Sequence, residues 1–156
     1  MILKEIRISK KITQKEAANI LLVSLRSYKD YENNPVKHNS IKYNYMCEKL
    51  YNYNLIDEEH GILILEDIKN IVKTVCDNYK VNFCYLFGSY AKNTAGDKSD
   101  VDLLIDTEVT GLDFYGLVEE LRVELHKKVD LITVNQLDNN QELLKEILKD
   151  GIKIYG

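Results

Sequence analysis

No stretch of this 156-residue chain approaches the ~20 consecutive apolar residues that a membrane span requires. Its start, Met1-Ile2-Leu3-Lys4-Glu5, lacks the charged-then-apolar layout of a secretion signal. A cytoplasmic location and no membrane partner are therefore expected. Cysteine is sparse: Cys47, Cys76 and Cys84 are odd in number, lack metal-type spacing and lie in apolar or helical patterns. That argues against a disulfide framework or a zinc site and predicts buried, reduced thiols. Histidine is equally scarce, and His38, His60 and His126 have no partner in any motif below. Repeats and low-complexity tracts are absent, although Asn and Tyr are dense from Tyr43 to Asn54.

Charge is unevenly shared. Residues 1–56 carry 10 Lys and Arg against 5 Asp and Glu, a net +5, whereas residues 57–156 carry 11 against 20, a net −9; together they make the −4 of the whole chain. A basic head on an acidic body suggests an anionic partner for the head, with nucleic acid first in line. The length suits either one domain or two small ones, and about a hundred residues can bury a core of their own.

The head reads as short helices. Ile2, Leu3 and Ile6 space one apolar face; Thr13-x-x-Glu16 is a capping box opening a helix through Ala17, Ala18, Ile20 and Leu21. Ser24 caps a third helix to about Glu32, and Ser40 starts a fourth carrying Ile41, Tyr45, Met46 and Leu50. Tyr28, Tyr31, Tyr43, Tyr45, Tyr51 and Tyr53 are expected as core and half-buried packing. The acidic Asp57-Glu58-Glu59-His60-Gly61 forms a junction, which divides the chain into domains at 1–56 and 62–156.

The body alternates in character: helix 66–79, strand 82–87, helix 89–94, strand 101–105, helix 113–126, strand 128–133, helix 139–149 and a short apolar end, Ile152-Lys153-Ile154. Lys127 and Lys128 fall where they complement a helix dipole. Two places carry chemistry. Tyr85-Leu86-Phe87-Gly88-Ser89-Tyr90-Ala91 takes a strand into a helix through Gly88 and Ser89. There, unpaired N–H groups, a glycine that admits a close anion and the Ser89 hydroxyl suit a phosphate. Then Ser99-Asp100-Val101-Asp102 sets two carboxylates two apart on a strand, projecting to one face. Carboxylates so placed repel unless a cation sits between them, and Mg²⁺ suits the position because it takes oxygen ligands and keeps waters or phosphates in the rest of its shell. Asp130, in Lys128-Val129-Asp130-Leu131-Ile132-Thr133, faces opposite to Val129 and Leu131 and is the natural third acid.

Gly88-Ser89, a spacer, Asp100-x-Asp102 and a later Asp130 resemble the nucleotidyltransferase superfamily that includes DNA polymerase beta, and within it the minimal nucleotidyltransferase (MNT) branch. The resemblance spans roughly the last hundred residues, including 66–79, the run from Gly111 to Leu121 and the end from Ile147 to Gly151. Asn93 stands where that family usually has Gly, and Asn is among the residues that best tolerate a left-handed backbone. The head, through Thr13-Gln14-Lys15-Glu16-Ala17-Ala18, Val23-Ser24 and Tyr31-Glu32-Asn33, resembles the Cro and phage-repressor helix-turn-helix. Leu22 occupies its usual turn glycine, and Leu25 and Asp30 stand where polar or basic residues are more usual.

These resemblances imply an α+β chain: an all-α helix-turn-helix domain followed by a minimal nucleotidyltransferase α/β domain with a small mixed sheet. They imply Mg²⁺-dependent transfer from ATP, with two ions held by Asp100, Asp102 and Asp130. Gly88 and Ser89 hold the phosphates, Asp130 takes the acceptor's proton, and Lys92 is a possible assistant. In the head, Gln14 would touch a phosphate and Arg26, Ser27 and Lys29 would face promoter DNA. The domain ends soon after the third acid, so the acceptor is expected on a partner. The MNT resemblance implies that this partner is a HEPN-type RNase toxin adenylylated on a tyrosine, with the head serving autoregulation. Alternatives are an antitoxin with a vestigial nucleotide site and an enzyme modifying a small hydroxylated molecule. A homo-oligomer is left open.

Overall fold

The computed structural model describes residues 2–156, which divide into two compact units, one ending at Leu55 and one running from Ile56 to Gly156. The first holds α1 (Leu3–Ser9), α2 (Gln14–Ile20), α3 (Leu25–Asn33), a 3-10 turn (Pro35–Lys37) and α4 (Ile41–Asn52). Polar caps start three of the helices. Thr13 Oγ1 accepts from the Glu16 N–H at 3.2 Å while Glu16 reaches back to the Thr13 N–H at 2.7 Å, and Ser24 and Ser40 accept from the N–H groups of Ser27 and Tyr43. Leu3, Ile6, Ala17, Ala18, Leu21, Tyr28, Tyr43, Met46 and Leu50 form the core.

Not every aromatic joins it. Tyr45, Tyr51 and Tyr53 are exposed, as is Ile41, because α4 turns only the face of Tyr43, Met46 and Leu50 inward. Leu22 sits in the turn between α2 and α3 with φ +55° and is 85 % exposed. A buried ion pair knits three helices: Arg7 donates to both Glu32 oxygens at 2.8 and 3.0 Å, and Gln14 Nε2 donates to Glu32 at 2.9 Å.

The second unit comprises α5 (Leu65–Cys76), β1 (Val81–Phe87), α6 (Gly88–Ala91), β2 (Val101–Thr107), α7 (Gly111–Leu125), β3 (Val129–Thr133), a 3-10 turn (Val134–Leu137), α8 (Gln141–Asp150) and β4 (Ile152–Tyr155). The sheet is mixed and four-stranded in the order β3-β2-β1-β4. β1 lies antiparallel to β2 and β4, and β2 runs parallel to β3. Strand alternation sends Cys84, Leu86, Val101, Leu103 and Ile105 into one core with Ile68, Val72, Val75, Leu117, Leu121 and Leu125. The opposite face carries Tyr85, Phe87, Leu104 and Ile132 against Leu137, Leu143 and Ile147.

Three differences from the sequence expectation are physical. α5 stops at Cys76, and Tyr79 beyond it donates to Glu120 at 2.8 Å. α8 starts at Gln141, where Asn140 caps the Leu143 N–H, after a 3-10 turn the periodicity does not show. The apolar end is a strand, since it pairs with β1. Among the described residues no helix is long and apolar enough to cross a membrane.

Candidate active site

The face of the sheet that packs on α8 also carries the acids. Asp102 lies directly across from Phe87, the last residue of β1, and across from Asp130 on β3. By alternation its side chain shares the face of Leu104, and Asp130 that of Ile132. Asp100 stands one residue before β2 and is exposed. Gly88 follows Phe87 with φ +70°, and a Cβ there would run into the Asp102 carboxylate. Glycine is required on both counts: a left-handed backbone and an acid pressed against its Cα.

α6 then begins at once, so its first N–H groups have no earlier carbonyl in the helix to bond. Ser89 is half-buried beside them. The turn closes through Thr94 N–H to the Ser89 carbonyl at 2.9 Å and Lys92 N–H to the Gly88 carbonyl at 3.1 Å. Asn93 takes φ +58°, the conformation for which the resembled family uses glycine.

Electrostatically the site is primed for a cation. Burial, and after it the charges of Asp130, Asp100 and Glu146, push the Asp102 carboxyl up to about 6, with Lys92 opposing. None of the three aspartates makes a side-chain hydrogen bond or ion pair among the described residues. They are not drawn into a cage, however: among the described residues no group of three or more His, Cys, Asp or Glu side chains is placed to hold a metal ion. One or two carboxylates with substrate phosphates are what Mg²⁺ ordinarily takes, so the donor set fits that ion although the expected three-acid centre is not preassembled.

The structure places other residues that the sequence marked differently or passed over. Lys92 is paired with Glu146 of α8 at 2.7 Å, and Glu146 had no motif to announce it. Lys127, expected to complement a helix dipole, is fully buried, immediately after His126 takes a left-handed backbone at φ +55°; Lys128 stays exposed. His60 pairs with Asp57 and His38 stacks on Tyr43. Burial pushes the Cys76 thiol up to about 12 and raises Cys84 and Cys47, which keeps all three protonated and unreactive. A cleft of about 570 Å³ lined by Lys73, Val81, Lys153 and Tyr155 opens at the far end of β1 from Gly88, away from the acids.

In the first unit, Arg26 and Lys29 are exposed along α3 and Ser27 is half-buried. Ser24, Arg26, Ser27 and Asp30 line a shallow cleft there. Asp30 is paired with Lys37, and the Gln14 amide is held by Glu32.

Comparison with known proteins places this site in context. A family model described as Polymerase beta, Nucleotidyltransferase matches residues 66–156. "Putative protein adenylyltransferase MJ0126" of Methanocaldococcus jannaschii is 38% identical over 96 residues, covering 58% of this chain and 97% of that protein. Protein adenylyltransferase MntA of Thermococcus cleftensis is 31% identical over 100 residues, covering 60% of this chain and 99% of that one. A crystal structure of a toxin-antitoxin with AMP-PNP superposes on 59% of this chain and 74% of that one, with TM-score 0.48 and 24% identity, a likeness too slight to carry a function across.

Proposed function

The chain belongs to the Polymerase beta, Nucleotidyltransferase family, and from that premise we propose that it is an antitoxin-type protein adenylyltransferase, moving AMP from ATP to a tyrosine hydroxyl of a HEPN-type RNase toxin. The observation that carries the reading is the contact of Asp102 with Gly88 opposite Asp130, which supports a turn suited to phosphate lying beside acids suited to a metal. Two relatives described as protein adenylyltransferases, matched over nearly their whole length, support AMP as the group and protein as the acceptor class. The toxin follows from the MNT resemblance of the sequence.

In this reading Gly88, Ser89 and the start of α6 hold the triphosphate, and Asp100 and Asp102 would hold Mg²⁺, which would supply positive charge against the negative charge developing on the departing pyrophosphate. The tyrosine oxygen bonds to the α-phosphorus as the bond to the pyrophosphate oxygen breaks. Asp130 faces that position from the neighbouring strand and receives the hydroxyl proton. Lys92, presently on Glu146, is within the same charge cluster and assists with phosphate.

The first unit is proposed to bind promoter DNA for autoregulation, with Arg26, Ser27 and Lys29 on α3 facing the duplex and Gln14 at the backbone. Its net +5 supports this, and the Lys37 pair offsets the acid that Asp30 would otherwise present to phosphate.

The test is to incubate the full chain, ATP and Mg²⁺ with its co-encoded helical partner and weigh the partner. Native protein should add about 329 Da per AMP group. Neutralisation of the partner with no mass added would replace this reading with that of a holding antitoxin.

A further inference from the structure

Lys127 is the one fully buried cationic side chain among the described residues, and nothing in the transfer reaction as drawn uses it. It has no carboxylate partner among the described residues. Instead its Nζ donates to two backbone carbonyls, His60 at 3.1 Å and Asp97 at 2.5 Å. An ammonium taken out of water without a counter-ion is expensive, and an apolar side chain of equal length would fill the space at lower cost. Such a residue calls for a reason other than stability.

What the ammonium grips supplies one. Asp97 lies three residues before Asp100, and Lys127 three residues before Asp130. Asp100 stands outside the β2 ladder, so its direction is set by the loop before it rather than by strand pairing. That loop is closed on itself by Gly96 N–H to Ser99 Oγ at 2.8 Å and Ser99 N–H to the Gly96 carbonyl at 3.1 Å. It is then tied outward at two levels: Lys127 to the Asp97 carbonyl, and Val101 N–H to the Lys128 carbonyl at 2.9 Å. The Asp97 carboxylate also accepts from the Gly61 N–H at 3.2 Å, and His60, on the other side of Lys127, closes its own turn onto Asp57. One ammonium therefore fastens the junction segment, the loop that delivers Asp100 and the start of the strand that carries Asp130.

Resting on the nucleotidyl-transfer reading, we infer that Lys127 is a positioning residue: it fixes the loop that carries Asp100 against the start of the Asp130 strand, so that Asp100 is held at a set place beside β3. It touches neither substrate nor metal and acts through the Asp97 carbonyl. Removing it leaves Asp102, which strand pairing and the Gly88 contact hold independently, and frees Asp100.

The experiment is a double-mutant cycle on the full chain, reading Mn²⁺ binding in the presence of AMP-PNP on protein shown to be folded. Lys127→Met should weaken Mn²⁺ binding about tenfold in the native background, in the range lost when an outer partner of a metal ligand is removed. In the Asp100→Asn background it should change binding by less than about twofold, because the ligand it positions is already gone. Amide exchange of residues 96–101 in the metal-free variant should quicken, with α5 and α7 unaffected. Lys127→Gln, which keeps a donor in the cavity, carries the same cycle if the methionine variant does not fold. Unchanged Mn²⁺ affinity in a folded variant, or equal losses in both backgrounds, overturns the inference, as does failure of both variants to fold, which would make the lysine a folding requirement. If native protein itself binds no Mn²⁺ with AMP-PNP, the nucleotidyl-transfer reading falls and this inference with it.

Discussion

Replacing Asp102 with Asn should make the metal-free protein more stable while removing its nucleotide chemistry. The carboxyl is raised from 3.8 to about 6 by burial and by Asp130, Asp100 and Glu146. A folded-state value above the unfolded one means that the fold prefers the protonated acid. The associated stability is fully present below about pH 4 and is lost as pH climbs through about 6. A carboxyl raised that far corresponds to about 3 kcal/mol, and because the side chain is only partly buried, solvent screening should leave about half of that. Asn keeps the shape beside Gly88 and has no charge to repel. In EDTA, the calorimetric transition of the second unit should therefore show Asp102→Asn more stable than native by about 1.5 kcal/mol at pH 7.5, with the gap closing near pH 4. Adding Mg²⁺ and ATP should raise native stability and leave the variant unmoved. A variant less stable than native at pH 7.5, or a gap constant with pH, would refute the electrostatic account of this site.

Gly88→Ala forces a Cβ into the Asp102 carboxylate at a left-handed backbone; it should lower second-unit stability by about 2 kcal/mol or more and abolish Mg²⁺-dependent ATP binding by titration. Asp130→Asn should keep ATP binding while transfer to the partner falls by about 10² or more, read by mass. Leu22→Gly, at φ +55° and 85 % exposed, should stabilise the first unit by about 0.5–1 kcal/mol by relieving the left-handed strain, measured by urea unfolding. Arg26→Ala with Lys29→Ala should weaken promoter binding and flatten its salt dependence by about two in slope; unchanged binding would remove α3 from the interface.

Local pattern made much of this legible. Asp102 is legible from its place in an apolar run, but the spacing that would set Asp100 on the same strand face does not hold, since Asp100 falls one residue before β2; Gly88 before a helix announces a special backbone; Thr13, Ser24 and Ser40 mark helix starts through their own side chains. What was not legible depends on distant partners. β4 is four residues long and owes its strand to β1. Glu146 matters because α8 lies over the acid face, which no local spacing reveals. Lys127 and Lys128 look alike in sequence, yet the first, just past the left-handed residue His126, is buried and the second is exposed. Ile41 looks like a core residue by type, yet α4 has a single buried face and Ile41 is off it.

The place of β4 beside β1 bears on how the protein comes into being. β1 carries the turn into Gly88, and one of its two hydrogen-bonded neighbours is Ile152–Tyr155, made some seventy residues of synthesis after it. While the ribosome is still working toward Tyr155, the central strand has an open edge, and an open edge invites pairing with other chains. A message cut short after α8 would yield every residue of the acid cluster yet a sheet lacking its last strand. A chain lacking β4 should therefore expose that edge of β1 and aggregate or be digested.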